Sequence, residues 1–213
     1  MLFRSLHDTR SVGKSFLSAL VGIAVGDGFL RSEKQTLGEF YDLTKFANNS
    51  RDKANVTIEQ LLTMTSGFSA DDSDEDSPGN EERMYPTKNW VRFALDLPME
   101  SDPATRRNWR YFTGGTIILG DILEQKVPDG LEKYAAKRLF APLGIDNYKW
   151  QYTPQKVPNT AGGLRLRALD LARFGELCRN GGTLAGKKIL PRPWIEKSLT
   201  RQVALADQQS YGY

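Results

Sequence analysis

Ser11 and Lys14 stand three residues apart in "SVGKSFLSALVGIAVGDG" (residues 11–28), at the head of a strongly apolar run. A serine hydroxyl is a weak nucleophile and needs a base within hydrogen-bond reach. On a helix, residues three apart share a face one turn apart, so this spacing can bring the Lys14 amine to the Ser11 hydroxyl. An apolar surrounding disfavours an ammonium and leaves a lysine able to take a proton. A helix N-terminus also favours the negative charge that develops at the serine oxygen. The same spacing recurs at Ser50 and Lys53 in the polar segment "NNSRDKANV", so the pattern alone does not choose between them. A tyrosine beside a lysine can carry a proton between nucleophile and leaving group. Two segments offer a tyrosine and a hydroxyl two residues apart, Tyr111-Phe112-Thr113 and Tyr85-Pro86-Thr87. Pattern alone leaves both open.

Other chemistries fit less well. Gly13-Lys14-Ser15 ends like a phosphate loop, but that loop needs a glycine five positions earlier for its amides to approach phosphate. Asp8 occupies that position, and its carboxylate would repel the anion. Phe16 to Val25 has the composition of an export-signal core, yet Asp8 and Lys14 interrupt its flank and "VGDG" is a poor cleavage site. The run is also too short to span a bilayer as a helix. His7 is the single histidine, so neither a Ser-His-Asp triad nor a histidine metal site is expected, and no cofactor is called for. Cys178 falls in the helical pattern "LDLARFGELCRN" and reads as a small apolar residue; alone, it forms no internal disulfide. The net charge of +3 and the short "RRNWR" do not make a nucleic-acid surface.

The elements that must position these groups follow from periodicity. A chain of 213 residues with 39% hydrophobic and 26% charged residues is long enough for one domain with a sizeable core. Apolar residues at three- and four-residue spacing predict a helix over 11–26, apolar nearly all round and therefore interior. Residues 37–46 read as a short connection and 57–64 as a helix capped by Thr57. Residues 71–82, "DDSDEDSPGNEE", carry seven acidic residues and no basic one, and read as a solvated, mobile loop. Further helices are expected over 89–97 (halted by Pro98), 116–125, 131–139, 169–179 and 193–199. Tyr148 to Tyr152 reads as a strand, and the alternation in "SYGY" as the start of another. The chain is thus rich in helices and poor in strands.

Five segments occur in a telling order: "SVGKSFLSALVGIAVGDG", "TIEQLLTMTSGF", "NWRYFTGGTIILGDILEQ", "APLGIDNYKW" and "AGGLRLRALDLARFGELCRNGG". Together they resemble the serine β-lactamase and penicillin-binding-protein superfamily, in the branch of class C β-lactamases, family VIII-type esterases and 6-aminohexanoate-dimer hydrolases. The resemblance runs from about Asp8 to Tyr213. It implies an α+β, β-lactamase/transpeptidase-like fold, with this chain forming one partial domain over residues 1–213. It selects Ser11 over Ser50 and Tyr111 over Tyr85. It implies Ser11 as the acylated nucleophile, Lys14 as its base and Tyr111 as the acid/base for the leaving group. Thr113, Gly114, Gly162 and Gly163 are then expected at the substrate, which would be an ester, amide or β-lactam.

Two departures from the family pattern qualify that expectation. Thr113 stands where a Tyr-x-Asn motif has asparagine, which argues against a true β-lactamase. The third motif, Lys-Thr-Gly or an equivalent on a strand after a "YGY"-like segment, is absent, as are strands before the nucleophile helix. The resemblance therefore implies a chain truncated at both ends, lacking one oxyanion donor worth on the order of 10²–10³ in rate. It also leaves the nucleophile helix without its covering sheet, exposing an apolar surface open to self-association. Beside a serine hydrolase, the sequence leaves open a D-alanyl carboxypeptidase and a non-catalytic relative that binds a peptide-like ligand or a partner.

Overall fold

The computed structural model describes residues 4–205 and 209–213. Strand β1 (His7–Asp8) leads through a 3-10 turn, Arg10–Val12, into helix α1 (Gly13–Gly26). Two short 3-10 turns, Leu37–Glu39 and Leu43–Lys45, occupy the predicted connection. Helices α2 (Arg51–Ala54), α3 (Ile58–Leu62), α4 (Glu81–Met84) and α5 (Trp90–Asp96) follow. Each begins where its preceding side chain can accept an otherwise orphaned helix amide. Ser50 takes the Lys53 N–H at 3.1 Å, Thr57 that of Gln60 at 3.2 Å, Asn80 that of Glu82 at 2.9 Å and Asn89 that of Arg92 at 2.8 Å. Helix α6 (Thr113–Lys126) precedes α7 (Leu131–Ala135), which widens into a π-helical turn over Ala136–Phe140.

The second half supplies strands. β2 (Lys149–Trp150) and β1 pair antiparallel with opposite edges of β3 (Leu164–Leu166), giving a three-stranded sheet ordered β1-β3-β2. Helix α8 (Ala168–Arg179), the hairpin β4 (Thr183–Leu184) to β5 (Lys187–Lys188), helix α9 (Arg192–Leu199) and the pair β6 (Val203–Ala204) with β7 (Ser210–Tyr211) complete the described chain. The architecture is the expected α+β, dominated by helices. No helix among the described residues is long and apolar enough to cross a membrane.

Helix α1 is the hub. Phe16, Leu17, Leu20, Val21, Ile23 and Ala24 are each at most 1% exposed. Burying one such large side chain is worth about 1.5–3 kcal/mol. The Phe16 ring stacks on Phe174 of α8 at 4.0 Å and meets Phe140 edge-on at 6.4 Å. On another side Trp194 of α9 lies flat against Gly22, so close that a Cβ there would fall 2.5 Å from the indole. Helix α1 is packed by α6, α8 and α9, and a short strand, β1, precedes it where none was expected. Large exposed hydrophobics among the described residues are scattered: Val12, Phe29, Tyr85, Tyr152, Leu169 and Leu199.

Three sequence expectations need correction. The acidic run 71–82 is not simply solvated: Ser77 and Asn80 are buried, Asp71 N–H donates to Ser77 Oγ at 2.8 Å, and the run ends in α4. Asn80 Nδ2 donates to the carbonyls of Asp72 and Asp74 at 3.2 and 3.0 Å, which folds the run back on itself. Helix α6 begins at Thr113 rather than 116, so Thr113 and Gly114 lie in its first turn. Tyr148 to Tyr152 is extended as a paired strand only over β2.

Candidate active site

The Ser11 turn is built by contacts from the far half of the chain. Thr9 N–H and Thr9 Oγ1 both donate to Leu164 O, at 3.1 and 2.7 Å. Arg10 then takes φ +48°, a left-handed conformation that costs a residue with a Cβ of order 1 kcal/mol or more. A Cβ at Gly162 would stand 3.4 Å from the Arg10 carbonyl, in ordinary contact, so this glycine packs beside the turn. Ser11 is thereby held exposed at the mouth of α1, while Lys14 is half-buried one turn on.

Lys14 Nζ lies 3.2 Å from Ser11 Oγ and donates to Ala161 O at 2.6 Å. A carbonyl can only accept, so Ala161 fixes one N–H of the amine. When the amine is neutral, its lone pair is left for the Ser11 hydroxyl. Lys14 Nζ also sits over the Tyr111 ring, 5.2 Å from its centroid. Lys14 therefore touches Ser11, Tyr111 and Ala161, with residues 11, 14, 111 and 161 drawn from three separate segments.

Tyr111 is half-buried and backed by aromatics. Its ring is 6.2 Å from that of Trp109, which in turn is 5.5 Å from Tyr211 on β7. Burial, with Tyr111 nearby adding to it, pushes the Tyr211 phenol up to about 12. Tyr211 and Tyr213 line a narrow crevice of about 60 Å³ with Ser11, Lys14, Met64 and Thr116. On its other side Ser11 opens to a wider polar cleft of about 490 Å³, walled by Glu81, Tyr85, Trp90, Gln151, Asn159 and Gly162 among others. Sequence reasoning missed the first five; the signal within reach was Tyr85, the tyrosine of the rejected Tyr-x-Thr pattern. Tyr85 Oη donates to Glu81 Oε2 at 2.6 Å, and burial with that neighbouring carboxylate raises its pKa.

Of the four residues expected at the substrate, only Gly162 lines the cleft. Thr113, Gly114 and Gly163 are buried. Thr113 is at the first turn of α6, with its N–H donated to Asp72 Oδ2 at 2.7 Å. Gly114 packs under Phe112, whose ring would lie 2.5 Å from a Cβ, and Gly163 packs between Asn159 and Gln151. Among the described residues no group of His, Cys, Asp and Glu could hold a metal ion.

A helical body with a Ser-x-x-Lys pair heading its central helix, and a small antiparallel sheet beside it, is the β-lactamase/transpeptidase-like class of α+β fold. The chain belongs to the Beta-lactamase family, whose profile matches residues 3–213. Its structure is similar to that of a Bacillus anthracis protein described as a 6-aminohexanoate-dimer hydrolase, with 19% identity and a TM-score of 0.79, covering 99% of this chain and 58% of that one. It is similar to an octameric penicillin-binding protein homologue from Pyrococcus abyssi, with 21% identity and a TM-score of 0.72, over 99% of this chain and 53% of that one. A D-stereospecific amidohydrolase from Streptomyces sp. gives 18% identity and a TM-score of 0.72, over 98% of this chain and 69% of that one. At these identities the likeness is one of fold. The chain spans little more than half the length of the first two structures. None of the curated proteins matches it.

Proposed function

We propose that the protein is a serine hydrolase that cleaves an ester or amide through an acyl-enzyme on Ser11. The observation that carries this reading is the Ser11–Lys14 contact at 3.2 Å, with Lys14 fixed by the Ala161 carbonyl and placed against Tyr111. In the first step Ser11 Oγ bonds to the substrate carbonyl carbon and its proton passes to Lys14 Nζ. Ser11 lies in the first turn of the α1 entry, where helix amides lack intrahelical partners, which suits its own N–H to the developing oxyanion. Collapse breaks the bond to the leaving group, which takes a proton by way of the Tyr111 hydroxyl. Water then attacks the acyl carbon, the same groups moving its proton, and frees Ser11.

Neighbours of the same fold include a D-amino acid amidase from Ochrobactrum anthropi solved with L-phenylalanine and with L-phenylalanine amide. Amino-acid-type amides therefore head the substrate classes to be tried, ahead of simple esters and β-lactams. The test is covalent. Incubation with a fluorophosphonate or a penicillin, read by intact mass, is expected to add one adduct to the wild type and none to Ser11→Ala. Absence of the adduct from a folded wild type would reject the reading.

A further inference from the structure

Asp72 joins the Tyr111 turn to the Glu81–Tyr85 wall of the cleft, and no step proposed above uses it. Its carboxylate accepts two backbone amides at once: Thr113 N–H on Oδ2 at 2.7 Å, and Glu81 N–H on Oδ1 at 2.8 Å. These amides open α6 and α4, so each lacks an intrahelical acceptor. The Asp72 N–H meanwhile donates to Tyr111 O at 2.8 Å. One residue thus holds the Tyr111 turn at two points and the Glu81–Tyr85 wall at a third. The other side of that turn is pinned by Met64, whose carbonyl accepts Arg110 N–H at 3.0 Å and whose sulfur receives Phe112 N–H at 3.4 Å.

We propose that Asp72 is a positioning residue: its ionised carboxylate sets the Tyr111 hydroxyl against the Ser11–Lys14 pair and fixes the spacing of the facing wall. The role of Tyr111 in this proposal rests on the acyl-enzyme reading. The ionised carboxylate accepts one amide on each oxygen, and does so more strongly than a neutral group. An asparagine would turn its NH₂ toward one of them, and a protonated aspartic acid its hydroxyl. Burial, and the Glu81 charge that faces it, raise the Asp72 pKa, while the bonds from Thr113 and the Glu81 amide oppose that rise. Acidification therefore releases this joint while ordinary surface carboxylates are still ionised.

The variant Asp72→Asn separates positioning from general support. With an amino-acid anilide, whose leaving group needs a proton, kcat is expected to fall about tenfold with KM little changed. With a p-nitrophenyl ester, whose leaving group departs as an anion, the change is expected to stay under about twofold. Asp72→Glu is expected to recover much of the anilide rate. Thr113→Pro, which deletes the donor at a position where proline suits a helix start, is expected to reproduce the Asp72→Asn split without an added loss in the double variant. A second readout needs no turnover: with 3-fluorotyrosine incorporated, the Tyr111 resonance (assigned by Tyr111→Phe) is expected to shift as pH falls through the Asp72 titration, and to lose that shift in Asp72→Asn. Equal losses on both substrates, or a Tyr111 resonance indifferent to Asp72→Asn, would overturn the proposal. If the wild type takes no fluorophosphonate, the acyl-enzyme reading fails by itself, and the fluorine spectrum still decides the case for Asp72.

Discussion

Lys53 carries the same three-residue relation to a serine as Lys14, yet its surroundings turn it to a different use. Ser50 spends its hydroxyl on the Lys53 backbone N–H, as the cap of α2. The Lys53 side chain is fully buried and donates to Ala47 O at 2.8 Å and Leu95 O at 2.7 Å, with its ammonium over the Phe68 ring. It ties residues 47–53 to the end of α5. Replacement by methionine keeps the length but leaves both carbonyls without a donor, at about 1–3 kcal/mol for each group so orphaned. Lys53→Met is therefore expected to lower the denaturant midpoint at neutral pH. Burial pulls the Lys53 ammonium down to about 8, against an opposing pull from Asp96. The unfolded chain thus binds this proton more tightly, so the cost of keeping Lys53 charged is complete below about 8 and is relieved as pH rises towards the unfolded value. The stability gap between wild type and Lys53→Met is expected to widen over that window; denaturation at several pH values that finds it constant would contradict the assignment. Lys14, half-buried at a cleft mouth, has a serine hydroxyl in front of it instead of a second carbonyl.

At the level of elements, α1 illustrates how a helix apolar on every face must be enclosed on every face. Gly22 is the position where enclosure is tightest, because the Trp194 indole occupies the space of a side chain. Alanine would improve intrinsic helix propensity by about 1 kcal/mol, but overpacking costs about 1–3 kcal/mol. With ring atoms at 2.5 Å the second effect dominates, and Gly22→Ala is expected to lower Tm. The same change in a Trp194→Leu background is expected to be neutral or stabilising, and equal losses in both backgrounds would show that the indole is not the obstacle. Helices with their period in their own residues were legible: α1, α3 with its Thr57 cap, α5 before Pro98, α8 and α9. β1 and β3 were not, since two or three residues show no alternation and their pairing bridges most of the chain. Helix α4 hid inside an acidic run: its Asn80 cap is local, but the Asp72 carboxylate that also holds its start lies nine residues earlier and follows from no local pattern.

Over the whole molecule, the site divides along the same line. Ser11 with Lys14 is a local relation that spacing can express, whereas only the family resemblance singled out Tyr111, whose ring lies under Lys14. The Ala161 carbonyl that orients Lys14, and the Asp72 joint behind Tyr111, arise only when segments far apart in the chain meet. The far end of α1 is fixed by another such meeting. Asp27 receives a two-pronged contact from Arg138, Nε to Oδ2 at 2.7 Å and Nη2 to Oδ1 at 2.6 Å, and Tyr134 Oη donates to it at 2.8 Å. This clamps helix α1 to α7 and its π-helical extension. The Arg138 bond, with the Tyr134 bond and Arg138 charge behind it, holds the Asp27 carboxyl below the usual carboxylate range despite burial. Its contribution is therefore present at neutral pH and is lost as pH falls through the folded-state value. Both partners keep some solvent contact, so Asp27→Asn is expected to cost about 1–2 kcal/mol, less than a wholly buried charged bond would. Denaturation at neutral pH should show that gap, and the wild-type and Asp27→Asn curves should converge as the medium is acidified. Because Ser11 sits at the opposite end of α1, slack at this clamp would also loosen the helix that presents Ser11. Fluorophosphonate labelling of Asp27→Asn is accordingly expected to be slower than wild type at neutral pH, with the difference shrinking on acidification in step with the stability gap.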